Sequence, residues 1–407
     1  MSCIIIGASH AGAQAAVNLR AQGYNEDIIL ISAENVMPYQ RPPLSKAFLQ
    51  DTLPEQRLWL RPEAFYQQKN ITLMLSTRVN SINANDKSVT LSDGQLLSYS
   101  KLIIATGASI RYLDVPGAEL PQVHYLRDHH DTVGIKNQLD KIQKVVVIGG
   151  GYIGLEAAAS MAKLNKKVTL LINGDRPLAK STSPTVSNFF TKLHESHGID
   201  IKLNTQVQSI EKTDNGVIVN TSGGESFEGD AVIVGIGVLP AQSLAKACGL
   251  TVNNGVCVNE FMQTSNNDIY AIGDCVSFYH PFYKKQVRIE SVQNATDQSK
   301  TVASAICDKL IPYNATPWFW SDQFDAKLQI AGLSEGYDGT VIRQESENSI
   351  AVFYFKADQL IAVDTINQPK TFMVTRKHLP NSVNVNKQQL ADTNIDINQV
   401  FTPEAGA

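Results

Sequence analysis

Cysteine is scarce in this sequence and is never clustered. The 407 residues include five cysteines, odd in number and widely scattered: Cys3, Cys248, Cys257, Cys275 and Cys307. That pattern excludes a secreted disulfide framework, and the lack of a CxxC pair excludes the usual zinc and dithiol motifs. No four cysteines have the spacing that an iron–sulfur cluster requires. The chain itself is therefore not expected to hold an iron–sulfur cluster.

Excess charge and long apolar runs are also missing. Lys and Arg total 35 against 39 for Asp and Glu, a formal net charge of −4, which gives no reason to expect nucleic acid or an anionic membrane as a partner. No stretch reaches the ~20 apolar residues of a membrane span. The apolar residues 4–6 follow no positive segment and stop at Gly7, unlike a signal peptide. With 43% hydrophobic and 18% charged residues, we expect a folded, cytoplasmic protein of two or three domains.

The first pattern present is a strand, a glycine turn, a helix and a second strand within about thirty residues. Residues 3–6 are apolar, residues 7–12 form the turn, residues 13–21 are rich in alanine, and residues 28–31 are apolar and β-branched. This order is the opening of a dinucleotide-binding fold. It returns at residues 145–172, so the sequence predicts two dinucleotide-binding units.

Later segments complete the predicted architecture. Residues 101–106, 231–235 and 268–273 are strand-like and end at glycine, and from residue 318 the pattern changes to strands separated by turns. We therefore predict an α/β fold with two Rossmann-like domains and a C-terminal α+β domain. The predicted boundaries are residues 1–110 and 240–320 for the first domain, 111–239 for the second and 321–407 for the third.

Both glycine turns suit a nucleotide pyrophosphate, which needs backbone N–H groups at a helix N-terminus and no bulky side chain nearby. The second turn matches GxGxxG at Gly149, Gly151 and Gly154. In the first turn, Ser9 replaces the middle glycine between Gly7 and Gly12, but serine is small and its hydroxyl can face a phosphate. Glu34 follows Gly12 by about 20 residues, where a ribose-binding carboxylate belongs.

Several motifs resemble those of the FAD-dependent ferredoxin reductases, the putidaredoxin-, rubredoxin- and biphenyl-dioxygenase-type reductases that supply oxygenases with electrons. The resemblance covers essentially the whole chain. It begins with PYQRPPLSK at residues 38–46 and continues through residues 105–107, 149–156, 269–274 and 288–291. Its most specific stretches are PWFWSDQ at residues 317–323 and residues 364–376, because generic two-dinucleotide flavoproteins lack that C-terminal domain.

The resemblance implies FAD and a nicotinamide nucleotide as cofactors. Glu34 would hold the adenosine ribose of FAD, Arg41 would lie by its ribose and phosphates, and Asp274 would bond the ribitol. Trp320 would lie against the flavin. The other implied cofactor contacts are Gly7, Ser9, His10, Ala11, Gly12, Lys46, Val79, Ala105, Thr106, Gly107, Arg127, Gly149, Gly151, Tyr152, Ile153, Gly154, Gly237 and Val292.

Three charged residues are implied to act in catalysis. By the resemblance, Lys46 would approach the reactive edge of the flavin and pair with Glu156, and Glu290 would lie on the nicotinamide side. An ammonium group there stabilises the negative charge of a reduced flavin. A carboxylate partner favours the charged form of that ammonium group.

The nicotinamide preference stays open at this point. NADH-preferring members carry an acidic residue that ends the strand after the second glycine turn and bonds the ribose 2′-OH. Here Ile172 and Asn173 occupy that place, and the nearest acid is Asp175. The missing carboxylate removes a repulsion against a 2′-phosphate, and Arg176 could pair with one. The resemblance favours NADH, with NADPH possible.

Neither a thiol relay nor a resident metal is expected. Disulfide reductases of related fold need a CxxxxC pair near the flavin, and other relatives use one cysteine in the loop after the first βαβ unit. That loop here reads LSKA at residues 44–47, without a thiol. The pairs His129 with His130 and His194 with His197 do not match the HExxH zinc motif and are expected on solvent-exposed faces.

The expected function is an NAD(P)H-dependent ferredoxin reductase. Electrons would pass from NAD(P)H through FAD, one at a time, to a [2Fe–2S] ferredoxin or a rubredoxin that feeds a cytochrome P450 or a ring-hydroxylating oxygenase. Because small ferredoxins are usually acidic, Lys284, Lys285 and Arg288 are the predicted docking residues. The alternatives are a reductase of small molecules, of the quinone or monodehydroascorbate type, and a flavin-binding redox sensor of the apoptosis-inducing-factor kind.

Overall fold

The computed structural model describes residues 2–381 and 385–401. Within them the chain forms two compact units, each built from three segments. Unit 1 comprises the segment up to Arg41, Pro54–Ser109 and Val238–Ala315. Unit 2 comprises Pro42–Leu53, Ile110–Gly237 and the segment from Thr316 onward. Residues 42–53 thus belong to unit 2, whereas the boundaries drawn from the sequence put them in the first domain.

Strands outnumber helices among the described residues, and helices separate single strands mainly around β1, β2, β10, β11 and β12. The strands are β1 (Ser2–Ile6), β2 (Asp27–Ile31), β3 (Ile71–Met74), β4 (Val79–Asn83), β5 (Ser88–Leu91), β6 (Leu96–Ser98), β7 (Lys101–Ile104), β8 (Ala108–Ile110), β9 (Val123–Tyr125), β10 (Lys144–Ile148), β11 (Lys167–Leu171), β12 (Asp200–Lys202), β13 (Val207–Thr213), β14 (Gly216–Thr221), β15 (Ser226–Gly229), β16 (Ala231–Val234), β17 (Val238–Pro240), β18 (Val256–Val258), β19 (Ile269–Ala271), β20 (Val276–His280), β21 (Lys285–Val287), β22 (Trp318–Gln323), β23 (Ala326–Gly332), β24 (Gly339–Ser346), β25 (Ser349–Lys356) and β26 (Gln359–Ile366). The α-helices are α1 (His10–Ala21), α2 (Glu63–Gln68), α3 (His129–Lys136), α4 (Tyr152–Lys163), α5 (Pro184–Ser196), α6 (Ser243–Ala247), α7 (Val292–Ile306), α8 (Pro369–His378), α9 (Lys387–Ala391) and α10 (Ile397–Phe401).

Unit 1 is built on a five-stranded parallel sheet in the order β19-β7-β1-β2-β3. Residues 3–6 of the central strand are all buried, as expected for a parallel strand covered on both faces. The chain passes from β1 to β2 on one side and returns later to β7 on the other. The carboxyl end of β1 is therefore a topological switch point, the place where open α/β sheets bind ligands.

Unit 2 repeats this arrangement in a parallel sheet with the order β12-β11-β10-β16-β9. Its switch point is the carboxyl end of β10. From β22 onward, five antiparallel strands form a second large sheet in the order β22-β23-β26-β25-β24, and α8 packs against β23 and β26. The predicted α/β class with a C-terminal α+β region is confirmed.

The first helix differs from the sequence prediction. It begins at His10 with Ser9 as N-cap, three residues before the alanine-rich stretch, because the glycine turn supplies the first turn of the helix. No helix in the part of the chain that the structure describes is long and apolar enough to cross a bilayer.

Candidate functional site

The first glycine turn has no room for side chains at two of its positions. Gly7 has a φ of 107°, and a Cβ built on it would lie 2.2 Å from the carbonyl oxygen of Ala105. A Cβ on Gly12 would lie 1.9 Å from the carbonyl oxygen of Gly7. Ser9 caps α1 without a side-chain hydrogen bond to its N–H groups. The first N–H groups of a helix have no acceptor within it, so this turn can bind an anion such as a pyrophosphate.

One carboxylate and one guanidinium are paired beside this turn. Arg41 Nη2 lies 2.7 Å from Glu34 Oε1, and Arg41 Nε donates to Ser9 Oγ at 3.2 Å. Tyr39 OH donates to the other Glu34 oxygen at 2.6 Å. Burial, and secondly the charge of Arg41, lower the pKa of His10 to about 4, so its ring is neutral at pH 7.

Two further loops of unit 1 lie against the same turn. The contact between Gly7 and Ala105 brings up the loop that also holds Thr106, whose Oγ1 donates to the Ala241 carbonyl at 2.7 Å. A Cβ built on Gly273 would lie 3.0 Å from Ala11 Cβ, so the short turn containing Asp274 lies beside the start of α1. The structure thus brings most of the predicted unit 1 residues to the carboxyl end of the parallel sheet.

Together these residues of unit 1 fit a dinucleotide such as FAD. An anion-binding helix terminus, a ribose-type carboxylate and a guanidinium all lie near the carboxyl end of β1. Val79, the remaining predicted contact on β4, is buried. The individual roles assigned to these residues stay predictions.

The second glycine turn, in unit 2, leaves space beside its middle glycine. A Cβ built on Gly149 would lie 2.3 Å from the carbonyl oxygen of Gly235, and a Cβ built on Gly154 would lie 2.0 Å from the carbonyl oxygen of Gly149. Gly151, the N-cap of α4, has no other heavy atom closer than 4.0 Å to such a Cβ. The middle glycine therefore opens toward unfilled space at a helix N-terminus, which fits the pyrophosphate of a nicotinamide nucleotide.

The other residues predicted around this turn have different surroundings. Tyr152 begins α4, is half-buried and packs on Phe319 with ring centroids 4.6 Å apart. Desolvation of its phenol raises the pKa of Tyr152. Ile153 is 42% exposed. Gly237 has a φ of 102° with no neighbour near a built Cβ, and the backbone N–H of Arg127 donates to Asp131 at 2.9 Å.

Lys46 and Glu156 form an ion pair within unit 2. Lys46 Nζ lies 2.8 Å from Glu156 Oε2, and the Glu156 side chain is only 4% exposed. The same oxygen accepts from Ser45 Oγ at 2.5 Å, and Oε1 accepts from Ser321 Oγ at 2.6 Å. Three donors on two oxygens compensate the buried negative charge. Their action on a flavin stays a prediction.

A chain of hydrogen bonds continues from this carboxylate to His194. Gln323 Nε2 donates to Ser321 Oγ at 3.1 Å, and Gln323 Oε1 lies 2.8 Å from His194 Nε2. Burial lowers the pKa of His194 to about 4, so the neutral ring donates through Nε2. Because each member donates toward Glu156, the chain orients the Ser321 hydroxyl to that carboxylate.

The prediction that His194 lies on a solvent-exposed face is therefore wrong. Its side chain is completely buried, because α5 places it against Gln323 and Phe324 at the end of β22. Its partner in that prediction, His197, is exposed. Ser45, Ser321 and Gln323 were missed as site residues, although all three lie inside the motifs that carry the family resemblance.

The remaining predicted site residues are Glu290 and Val292 in unit 1 and Trp320 in unit 2. Glu290 is ion-paired with Arg288 and partly exposed. Val292 begins α7. Trp320 lies on β22 with its ring centroid 5.7 Å from that of Trp318.

Two cysteines of unit 1 are buried, Cys3 and Cys275. All five cysteines are free, and burial raises the pKa of Cys3 to about 12 and also raises that of Cys275. Both are therefore protonated at pH 7 and lack the thiolate that thiol chemistry needs.

Among the residues that the structure describes, one cluster has ligand atoms close enough for a metal, formed by Asp128, His130 and Asp131. Asp128 and Asp131 already form the capping box of α3. Helix capping therefore explains the position of both carboxylates.

Comparison with known proteins covers nearly the whole chain. A family model described as pyridine nucleotide-disulphide oxidoreductase matches residues 1–299, and a second, described as reductase C-terminal, matches residues 318–401. The chain is 40% identical over 399 residues to the rhodocoxin reductase of Rhodococcus erythropolis, covering 98% of this chain and 93% of that protein. It is also 40% identical over 405 residues to the putidaredoxin reductase of Pseudomonas putida, with coverages of 98% and 96%.

Solved structures give the same result. The structure of the covalent putidaredoxin reductase–putidaredoxin complex matches with a TM-score of 0.94 at 40% identity, covering 98% of this chain and 97% of that one. The ferredoxin reductase for the CYP199A2 system of Rhodopseudomonas palustris matches with a TM-score of 0.96 at 39% identity, covering 98% and 100%. The chain therefore belongs to the pyridine nucleotide-disulphide oxidoreductase family, whose members use FAD and NAD(H).

Proposed function

We propose that this protein is an NAD(P)H-dependent reductase that passes electrons through FAD to a small [2Fe–2S] ferredoxin or a rubredoxin. The carrier in turn serves an oxygenase system. The observation that carries this proposal is the full-length similarity to putidaredoxin, rhodocoxin and rubredoxin reductases, including the C-terminal region. The buried, protonated thiols of Cys3 and Cys275 offer no thiolate, which supports direct electron transfer from the flavin.

The residues of unit 1 are proposed to bind and orient FAD, which supplies the conversion between two-electron and one-electron chemistry when bound. The N-terminus of α1 would receive the pyrophosphate, because Gly7 and Gly12 keep side chains away from it. Glu34, fixed by Arg41 and Tyr39, would accept hydrogen bonds from the ribose. The neutral ring of His10 leaves the charge near this turn to Arg41.

The Lys46–Glu156 pair is proposed to hold one positive charge in a defined place. Glu156 is buried and receives three donors, so its carboxylate is fixed and orients the Lys46 ammonium group. An oriented ammonium stabilises negative charge developing beside it. Removing the carboxylate would leave the Lys46 side chain without the partner that positions it.

The electron carrier is proposed to dock on the hairpin between β20 and β21. Lys284 is exposed just before β21, Lys285 begins β21 and is half-buried, and Tyr279 on β20 is 58% exposed. Arg288, the third residue of the predicted patch, is paired with Glu290. An acidic carrier would be steered to this hairpin by the two lysines.

We also propose that the protein acts in the cytoplasm. The five cysteines are all free, and three of them are partly exposed, as is usual in a reducing compartment. NAD(P)H is the proposed electron source, so the reaction needs a compartment that contains this nucleotide.

The experiment that tests this function is NADH- and NADPH-driven reduction of cytochrome c by the flavin-loaded protein. It is run alone and with a panel of [2Fe–2S] ferredoxins and a rubredoxin. We expect a large rate increase that depends on one carrier. Fast turnover with a quinone and no response to any carrier would instead support a small-molecule reductase. Slow flavin reduction by both nucleotides would support a sensor.

The docking proposal has its own test. Replacing Lys284 and Lys285 with glutamate should raise the KM for the carrier several-fold and weaken its dependence on salt, because two attractive charges become repulsive. The matched control reverses the charges of Lys141 and Lys246, which are exposed, and should leave the KM near that of the parent. Equal effects in both double variants would contradict a specific docking hairpin.

A further inference from the structure

The residue after β11 in unit 2 is apolar and buried. In a dinucleotide-binding βαβ unit, this is where an acidic residue accepts hydrogen bonds from the adenosine ribose. Ile172 occupies the position and is only 4% exposed. Its N–H donates to Lys202 O and its carbonyl accepts from Thr205 N–H, each at 2.9 Å. The backbone is thus fixed on both sides.

The Ile172 side chain packs directly on the second glycine turn. A Cβ built on Gly150 would lie 2.8 Å from Ile172 Cγ2 and 2.9 Å from its Cδ1. The space beside the turn is therefore filled by methyl and methylene groups. This surface offers neither an acceptor for a 2′-OH nor a negative charge to repel a 2′-phosphate.

Arg176, the cation nearest in sequence, is largely engaged in holding its own loop. Its Nη1 donates to the Thr182 carbonyl at 3.0 Å and to Ser187 Oγ at 2.6 Å, and its Nη2 donates to the Ala179 carbonyl at 3.0 Å. Three of the five N–H donors of the guanidinium are thus used within the loop. Arg176 is a structural residue of this loop and not a dedicated phosphate ligand.

The exposed side chains of the same loop carry no net charge. Asp175 and Lys180 are both exposed, as is the neutral Asn173. These two charges cancel, so the remaining charge of the loop is that of Arg176, whose guanidinium is held by neutral acceptors of the loop. Ile172 thus supplies no selecting carboxylate, and Arg176 supplies no dedicated phosphate ligand.

We propose that this protein uses NADH and NADPH with catalytic efficiencies within about tenfold of each other, because Ile172 replaces the selecting carboxylate. This inference rests on the proposed function only in that a nicotinamide nucleotide is the electron donor. The substrate class is thus a nicotinamide dinucleotide with or without a 2′-phosphate.

The test measures kcat/KM for both nucleotides with ferricyanide as acceptor. In parallel, the binding of NAD⁺ and NADP⁺ to the oxidised, flavin-loaded protein is measured by calorimetry. We expect both comparisons to lie within about tenfold. A preference for either nucleotide beyond about tenfold in both measurements would overturn the proposal. For an NADH preference, Asp175→Asn would then show whether that exposed carboxylate is its source.

Introducing a carboxylate should create the selectivity. Ile172→Glu is expected to raise the NADH:NADPH ratio at least about tenfold, mainly through a weaker affinity for NADPH. Ile172→Leu, the control for altered packing, should keep the ratio of the parent. Because Ile172 is buried, Asn173→Glu serves as a second variant at an exposed position, with Asn173→Gln as its control. An unchanged ratio in both glutamate variants would overturn the proposal.

These measurements separate the inference from the proposed function. Ferricyanide reduction and nucleotide binding need no protein carrier. Failure to reduce any ferredoxin or rubredoxin would therefore contradict the proposed function while leaving the nucleotide result intact. Conversely, strict use of one nucleotide would contradict the inference while carrier reduction still supported the function.

Discussion

The ion pair of Lys46 and Glu156 gives the sharpest stability prediction. The Glu156 side chain is 4% exposed and that of Lys46 is 19% exposed. Removing one partner of a buried pair typically costs about 3–5 kcal/mol, because the other charge stays buried without compensation. Here the carboxylate keeps the Ser45 and Ser321 hydroxyls, at 2.5 and 2.6 Å. We therefore expect Lys46→Met to cost less than that range, about 2 kcal/mol.

A double-mutant cycle isolates the interaction itself. Glu156→Gln alone should cost about 1 kcal/mol, since the partly exposed ammonium group of Lys46 can reach water. The double variant removes both charges and should be more stable than the sum of the single losses predicts, by about 1–2 kcal/mol. The assay is urea unfolding of the flavin-loaded protein, followed by circular dichroism.

The control is the exposed pair of Lys300 and Asp297, with Nζ and Oδ1 2.9 Å apart at 62% and 31% exposure. Its coupling energy should fall below about 0.5 kcal/mol. If Lys46 and Glu156 give a coupling energy no larger than this control pair, the argument from burial is refuted.

Three further predictions concern packing and ionisation. Gly12→Ala should destabilise the protein and release FAD, because its Cβ would lie 1.9 Å from a carbonyl oxygen. A Cβ on Gly134 in α3 meets open space, so Gly134→Ala should instead stabilise the folded protein by about 0.5–1 kcal/mol. Measurements of melting temperature and flavin content distinguish the two variants. Burial raises the pKa of Asp364 to about 7, so the folded protein keeps a proton that the unfolded chain releases near pH 4. Stability should therefore fall as pH rises from about 4 to 7, by at most about 4 kcal/mol, and Asp364→Asn should flatten this slope in thermal unfolding curves. Arg343 is buried and donates to the carbonyls of Asp392 and Ile395 at 2.6 and 2.8 Å. Arg343→Met should therefore expose residues 385–401 to limited trypsin digestion. An unchanged digestion pattern would show that other contacts hold this segment.

The parts of the fold with strong local patterns could be predicted from the sequence. The strands β1 and β10 are apolar at nearly every position because both faces are buried. The glycines that follow them mark turns in which a Cβ would strike a backbone carbonyl. Such steric requirements fix the residue type locally, so they leave a readable pattern.

Features that depend on distant contacts could not be predicted in the same way. His194 is polar and lies three residues before His197, which suggested a surface position. Only its contact with Gln323, far along the chain, explains its burial. The hydrogen bond from Ser321 to Glu156 likewise joins residues that are distant in sequence. Membership of residues 42–53 in unit 2 depends on contacts such as that of Gln50 with Ser160. Local periodicity carries no information about these partners.

The order of strands in unit 1 has a consequence for synthesis on the ribosome. Strand β19 completes the edge of the sheet by pairing with β7, and Lys101 Nζ lies 2.7 Å from Asp268 Oδ1 across this junction. More than 160 residues separate the two sides of that contact in the chain. At a synthesis rate of about 5–20 residues per second, roughly 10–30 s pass between the synthesis of β7 and that of β19.

During this interval the nascent chain carries an unpaired strand edge of leucine and isoleucine, which invites pairing with other chains. The chain also moves between the two units five times before it ends, so neither unit exists as one continuous stretch of sequence. Unit 1 can close its sheet only after β19 has been made. Yield in the cell should therefore depend on protection of the growing chain during translation as much as on the stability of the finished protein.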